Sequence, residues 1–144
     1  MQEANPSNIE LIRAGVARVR KDFDGALAPL GFTRTKAMLW SRQRGNLIET
    51  IGMLRLGAAG KPLTASVRLR LDFSVRGLNR ELLAGADGGP LLSDPLRDAA
   101  DYAYHLRFNA SSWSTYDRCV ENLLRIVQEH GIPWFAQRQP SPTR

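Results

Sequence analysis

The sequence predicts a two-layer α+β domain: an antiparallel sheet of about four strands, with the N- and C-terminal helices packed on one face. Three observations predict it. A capped amphipathic segment opens the chain, a second amphipathic segment lies near its end, and between them Leu63–Val75 alternates apolar and polar residues without a break. The 144 residues suit one domain, placed at 1–136, with a flexible tail over 137–144. An apolar content of 43% excludes a disordered chain on composition.

The first helix is expected over 8–29. Ser7 and Glu10 make an S-x-x-E capping box, and Ile9, Ile12, Val16, Val19, Phe23, Ala26 and Leu30 form one stripe at helical spacing. Gly31 follows as a residue that tolerates the left-handed conformation, and Pro29 makes the last turn irregular. Strands are expected next at Lys36–Arg42 and Leu47–Leu56, joined by a turn at Arg44-Gly45-Asn46. Leu47–Leu56 is apolar on both faces, as an inner strand should be. Gly57–Pro62 resembles the end of a phosphate-binding loop, but its spacing is short and Pro62 replaces the magnesium-binding hydroxyl, so it reads as a hairpin turn.

In Leu63–Val75 the odd-numbered residues from Leu63 to Val75 are apolar, and Arg68, Arg70 and Asp72 lie among the even ones. A slip of one residue would bury those charges, at a cost larger than the roughly 1.5–3 kcal/mol that each large apolar side chain contributes on burial. The register is therefore determined, with one dry face and one wet face. Asn79–Ala84 is expected as a short helix, Gly85–Pro95 as a loop, and Tyr102–Phe108 as a fourth strand, with a helix over Asp94–Tyr104 as the competing assignment. The last helix is expected to open near Ser114 and end at His130-Gly131, with Ile132–Phe135 as an extended apolar cap. The expected core is Ile12, Val16, Val19, Phe23, Trp40, Val67, Leu69, Leu71, Phe73, Val120, Leu124 and Val127. Trp113 and Trp134 close its ends.

The net charge of +6 is unevenly distributed: residues 32–76 carry nine basic and two acidic side chains, whereas 77–131 carry five basic and eight acidic. Clustered positive charge raises the local potential and favours an anionic partner. The candidate binding residues are Arg68 and Arg70 on the wet face, Arg76 beyond its end, and Arg55 beside them. The favoured partner is an acidic protein. Nucleic acid is the alternative, although Phe73 points into the core and no base-stacking signature is present. A third reading is a small hydrolase-like enzyme with an acidic site at Asp98 and Asp101 near His105. No catalytic residue, cofactor or metal site is expected. His105, Cys119 and His130 are separated in sequence, His130 suits a helix C-terminus, and Cys119 reads as a small buried hydrophobe. No run of about 18–20 apolar residues marks a membrane span and no export signal opens the chain, so the expected location is the cytoplasm.

The order of these segments carries a likeness. A capped helix leads to Leu30-Gly31-Phe32, then to Met38-Leu39-Trp40, Leu47–Leu56, Leu63–Val75, Trp113 and the helix exit Gly131-Ile132-Pro133-Trp134-Phe135. Over residues 9–136 this resembles the bacterial domain of unknown function 4304 family. The resemblance implies a small cytosolic α+β domain and an immunity-like role beside a toxin. It supplies no catalytic residues.

Overall fold

The computed structural model describes residues 7–56, 62–85 and 104–138. Helix α1 (Asn8–Leu27) begins with the expected reciprocal cap: Ser7 Oγ accepts from the Glu10 amide, and Glu10 Oε1 accepts from the Ser7 amide. These bonds favour the ionised carboxylate and hold the Glu10 pKa below its usual value. A 3₁₀ turn (Ala28–Leu30) follows, and Gly31 at φ +90° ends it, a conformation that costs a residue with a side chain more than glycine.

Among the described residues, six antiparallel strands form one sheet: β1 (Thr33–Lys36), β2 (Leu39–Arg44), β3 (Leu47–Leu56), β4 (Ser66–Gly77), β5 (Leu82–Gly85) and β6 (Arg107–Asn109). The order is β1-β2-β3-β4-β5, and β6 also pairs with β4. The ladder between β3 and β4 runs from Leu47 opposite Gly77 to Leu56 opposite Arg68. In β4, Val67, Leu69, Leu71, Phe73 and Val75 are all buried, as the alternation predicts. Helices α1 and α2 (Tyr116–Ile126) cover that inward face.

Several expectations are corrected. Leu63 is 96% exposed, because the chain bends over 63–64 and the strand begins only at Ser66, where pairing to Asn109 starts. Lys36–Arg42 divides into β1 and β2 at Ala37-Met38. Asn79–Ala84 is not a helix. Asn79 Oδ1 accepts from the Glu81 amide, Arg80 takes φ +70°, and the reversed chain continues as β5 along β4. Of the fourth strand only Arg107–Asn109 pairs as β6, with Tyr104 in a bend before it; residues 86–103 lie outside the described residues, as does the Gly57–Lys61 turn. Val16, Val120 and Leu124 are partly buried, while Phe32, Ile51, Leu123, Ile126 and Phe135 are among the residues that join the core.

Ile132–Phe135 is helical, not extended. A π turn (Val127–Gly131), closed by the Ile132 amide on the Val127 carbonyl, links α2 to a short helix α3 (Ile132–Ala136). The wider turn accommodates Pro133, whose ring would otherwise crowd the carbonyl four residues back. Gln137 and Arg138, assigned by the sequence to the tail, are tied down, with the Arg138 amide on the Phe135 carbonyl and its guanidinium on the Trp134 carbonyl. The rest of the tail lies outside the described residues.

At the inward end of the β2–β3 hairpin sits Glu49, fully buried. Arg42 Nε donates to one carboxylate oxygen at 2.6 Å and Arg44 Nε to the other at 2.5 Å. The same guanidinium groups also reach the carbonyls of Leu30, Phe135 and Arg138. Replacing Glu49 with Ala leaves two cations facing each other without their anion. Both are partly solvated, so we expect a loss of about 3 kcal/mol, read as a lower urea midpoint with unchanged slope. At Gly131 an added Cβ would lie 2.8 Å from the Phe73 ring. Gly131→Ala should therefore destabilise by about 1–3 kcal/mol in the same assay, although alanine is the better helix former.

Candidate functional site

The even-numbered side chains of β4 lie on the sheet face opposite α1 and α2, and among the described residues no helix covers that face. Arg68 is exposed and stands between Leu56 of β3 and Arg107 of β6 in one row across three strands. Arg70, opposite Leu54, is paired with Asp72 at 3.2 Å. Arg76 lies within β4 rather than beyond it, opposite Ile48 and Leu82, and donates to the Arg80 carbonyl. Leu54 and Leu56 are 40% and 37% exposed. The face is therefore a mixed surface of guanidinium groups and leucines. No described aromatic side chain stands on it: Trp40, Phe73 and Phe108 all point inward.

Arg55 is not beside these arginines. It pairs with Leu69, and directly opposed residues of an antiparallel ladder share a face, so Arg55 is on the α1 side of the sheet. There it lines a groove of about 680 Å³ with Arg13 and Arg20 of α1. The rest of the basic segment is largely neutralised internally. Arg42 and Arg44 hold Glu49, and Arg34 meets Asp24, which also accepts from Trp40 Nε1 at 2.6 Å. Counting charge along the chain overstated the free positive surface, because Arg42 and Arg44 are taken up by buried Glu49, and Arg34 and Arg70 are paired with Asp24 and Asp72.

Asp98 and Asp101, the carboxylates of the hydrolase-like reading, lie outside the described residues. His105 is partly buried, with its backbone amide on Asn122 Oδ1, and is not part of a strand. His130 does not end a helix; it sits in the π turn, where its Nε2 is 2.8 Å from the Tyr104 hydroxyl. That hydroxyl donates to Glu129 Oε1 at 2.5 Å, and Arg125 closes the group by pairing with Glu129. Burial, then the bond to Glu129, pushes the Tyr104 phenol up to about 12, so it serves as a proton donor in a structural network. Cys119 is fully buried as expected, and burial raises its thiol to about 12. Among the described residues no cluster of three or more His, Cys, Asp or Glu could hold a metal ion, and no helix is long and apolar enough to cross a membrane.

A phenol whose folded-state pKa exceeds its unfolded value of 10.0 contributes stability that is present below that value and is lost as pH rises toward about 12. Tyr104→Phe should lower stability by about 1 kcal/mol at neutral pH. The melting-temperature difference from wild type should hold constant to near pH 9 and shrink above pH 10 (about the phenol's ordinary pKa). Comparison of the chain with protein-family models, curated proteins and solved structures finds no match.

Proposed function

We propose that the chain is a non-enzymatic interaction module that binds an acidic protein through the sheet face that no described helix covers. The observation that carries this reading is the cross-strand pair Arg68 and Arg107, with Leu54 and Leu56 beside it. Like charges directly opposed across a ladder are destabilising, and neither guanidinium has an ion-pair partner among the described residues. Carboxylates from outside relieve that repulsion, and planar guanidinium groups accept them in bidentate geometry. The exposed leucines supply the apolar area that a surface of charges alone lacks.

Nucleic acid is the weaker reading on this face. Phosphates would meet the same arginines, but single-strand binding also draws on stacked aromatic rings, and the described face presents none. The likeness to the domain of unknown function 4304 family, with its immunity-like role in the cytoplasm, belongs to the same proposal. It would make the partner a toxin whose acidic surface is blocked.

The test is a capture experiment on immobilised full-length chain with lysate of the producing cells. The expected result is an acidic protein retained at low salt, lost on Arg68→Glu/Arg107→Glu, with circular dichroism and melting temperature unchanged. Recovery of DNA or RNA instead, with affinity falling steeply as salt rises, overturns the reading.

A further inference from the structure

The groove on the other side of the sheet has a feature that the open face lacks: a free strand edge. Strand β2 ends at Leu39, opposite Gly52, and the last bond across that edge runs from the Met53 amide to the Met38 carbonyl. Strand β3 continues to Leu56, so residues 54–56 have, among the described residues, β4 on one side only. The direction of the Arg55 backbone follows from its partner. Leu69 donates its amide to the Leu106 carbonyl, away from β3, so Leu69 and Arg55 form a non-hydrogen-bonded pair. The N–H and C=O of Arg55 therefore point away from β4, into the space where β2 has stopped.

Around that edge the groove has an apolar floor of Ile12, Val16, Met38 and Met53. Its rim carries Arg13, Arg20 and Arg55, with no carboxylate among the described lining residues. None of the three arginines makes a salt bridge among the described residues, although Arg13 lies within electrostatic reach of Glu10 one turn earlier on α1. Arg13 and Arg20 are two helical turns apart, about 10.5 Å along the axis. One small anion cannot span that distance, whereas an extended chain with carboxylates on alternate residues can, since it repeats every ~6.6 Å.

We propose that this groove binds an extended acidic segment of a partner protein by strand addition beside β3. The partner backbone pairs with the Arg55 amide and carbonyl, its carboxylates on alternate residues meet Arg13, Arg20 and Arg55, and the apolar side chains between them lie on the other face of the sheet beside the exposed Leu54 and Leu56. The inference rests on the reading of an acidic protein partner and adds a second, backbone-mediated contact on the opposite side of the sheet.

The test uses a fluorescein-labelled, end-capped peptide of about eight residues alternating Glu with Val or Leu. Anisotropy should show binding that weakens at least about tenfold in Arg13→Glu/Arg20→Glu and is unchanged in Arg68→Glu/Arg107→Glu. Arg55→Ala and Arg55→Pro separate charge from edge. Both lose the guanidinium, but proline also removes the free N–H without breaking the β3–β4 ladder, so it should bind more weakly than alanine. Hydrogen exchange should show the Arg55 amide protected when the peptide is added.

Equal affinity for the same peptide N-methylated at alternate residues would overturn strand addition. So would equal affinities of the two Arg55 variants, or displacement of the peptide by dodecanoate with no protection of Arg55. Should the peptide fail to bind while the open face still captures its acidic partner, the groove inference falls and the proposed function stands. Melting temperatures of all variants guard against reading misfolding as lost affinity.

Discussion

The ion cluster around Glu49 is the constraint on which the arrangement of this domain depends. A carboxylate removed wholly from solvent is tolerated only with full compensation, and here each oxygen receives its own guanidinium. The arginines cannot turn elsewhere, because their remaining N–H groups satisfy carbonyls at the end of the first helical segment and around the last one. Arg42 also lies 4.6 Å over the Phe32 ring, which places the charged group against the aromatic end of the core. One polar cluster thereby joins the β2–β3 hairpin to both ends of the described chain, while Phe23, Trp40, Phe73 and Phe135 pack edge-to-face beside it.

The same cluster reshapes the electrostatics of the surface. A sequence with many arginines in one segment invites the image of a continuous basic face. The fold instead sorts them by strand parity, sending Arg42, Arg44 and Arg55 to the helix side and Arg68, Arg70 and Arg76 to the other. What is left is two separate cationic regions with leucine, isoleucine and methionine between the charges. Mixed surfaces of this kind suit proteins better than nucleic acid backbones, since desolvated apolar area and paired charge contribute together.

Much of the fold was legible because its strongest signals carry large penalties for error. Burying Arg68, Arg70 and Asp72 is so unfavourable that β4 had one possible facing, and the Ser7–Glu10 box marks a helix start on chemistry alone. Short elements were not legible. The strands at 82–85 and 107–109 exist because the long β4 offers an edge to pair with, a tertiary effect that local pattern does not carry. Glu49 escaped notice because a charged residue reads as outward. Yet its parity with Leu47 and Ile51, and that of Arg42 and Arg44 with Trp40, already places all three on the buried side. Arg55 was misassigned for a related reason: facing across two strands depends on their register, and register is a property of the pairing.

The reach of Arg44 to Phe135 and Arg138 has a consequence for how the molecule is made. The hairpin that carries Glu49 is synthesised early, whereas the carbonyls that complete its cluster lie 91 and 94 residues further along the chain. Until those residues leave the ribosome, Arg44 lacks two of its acceptors and the sheet's inward surface has α1 but not α2 or α3. Completion of the cluster therefore waits on the C-terminal segment, so a chain cut before Phe135 would keep the Glu49 hairpin without two of the contacts that fix Arg44.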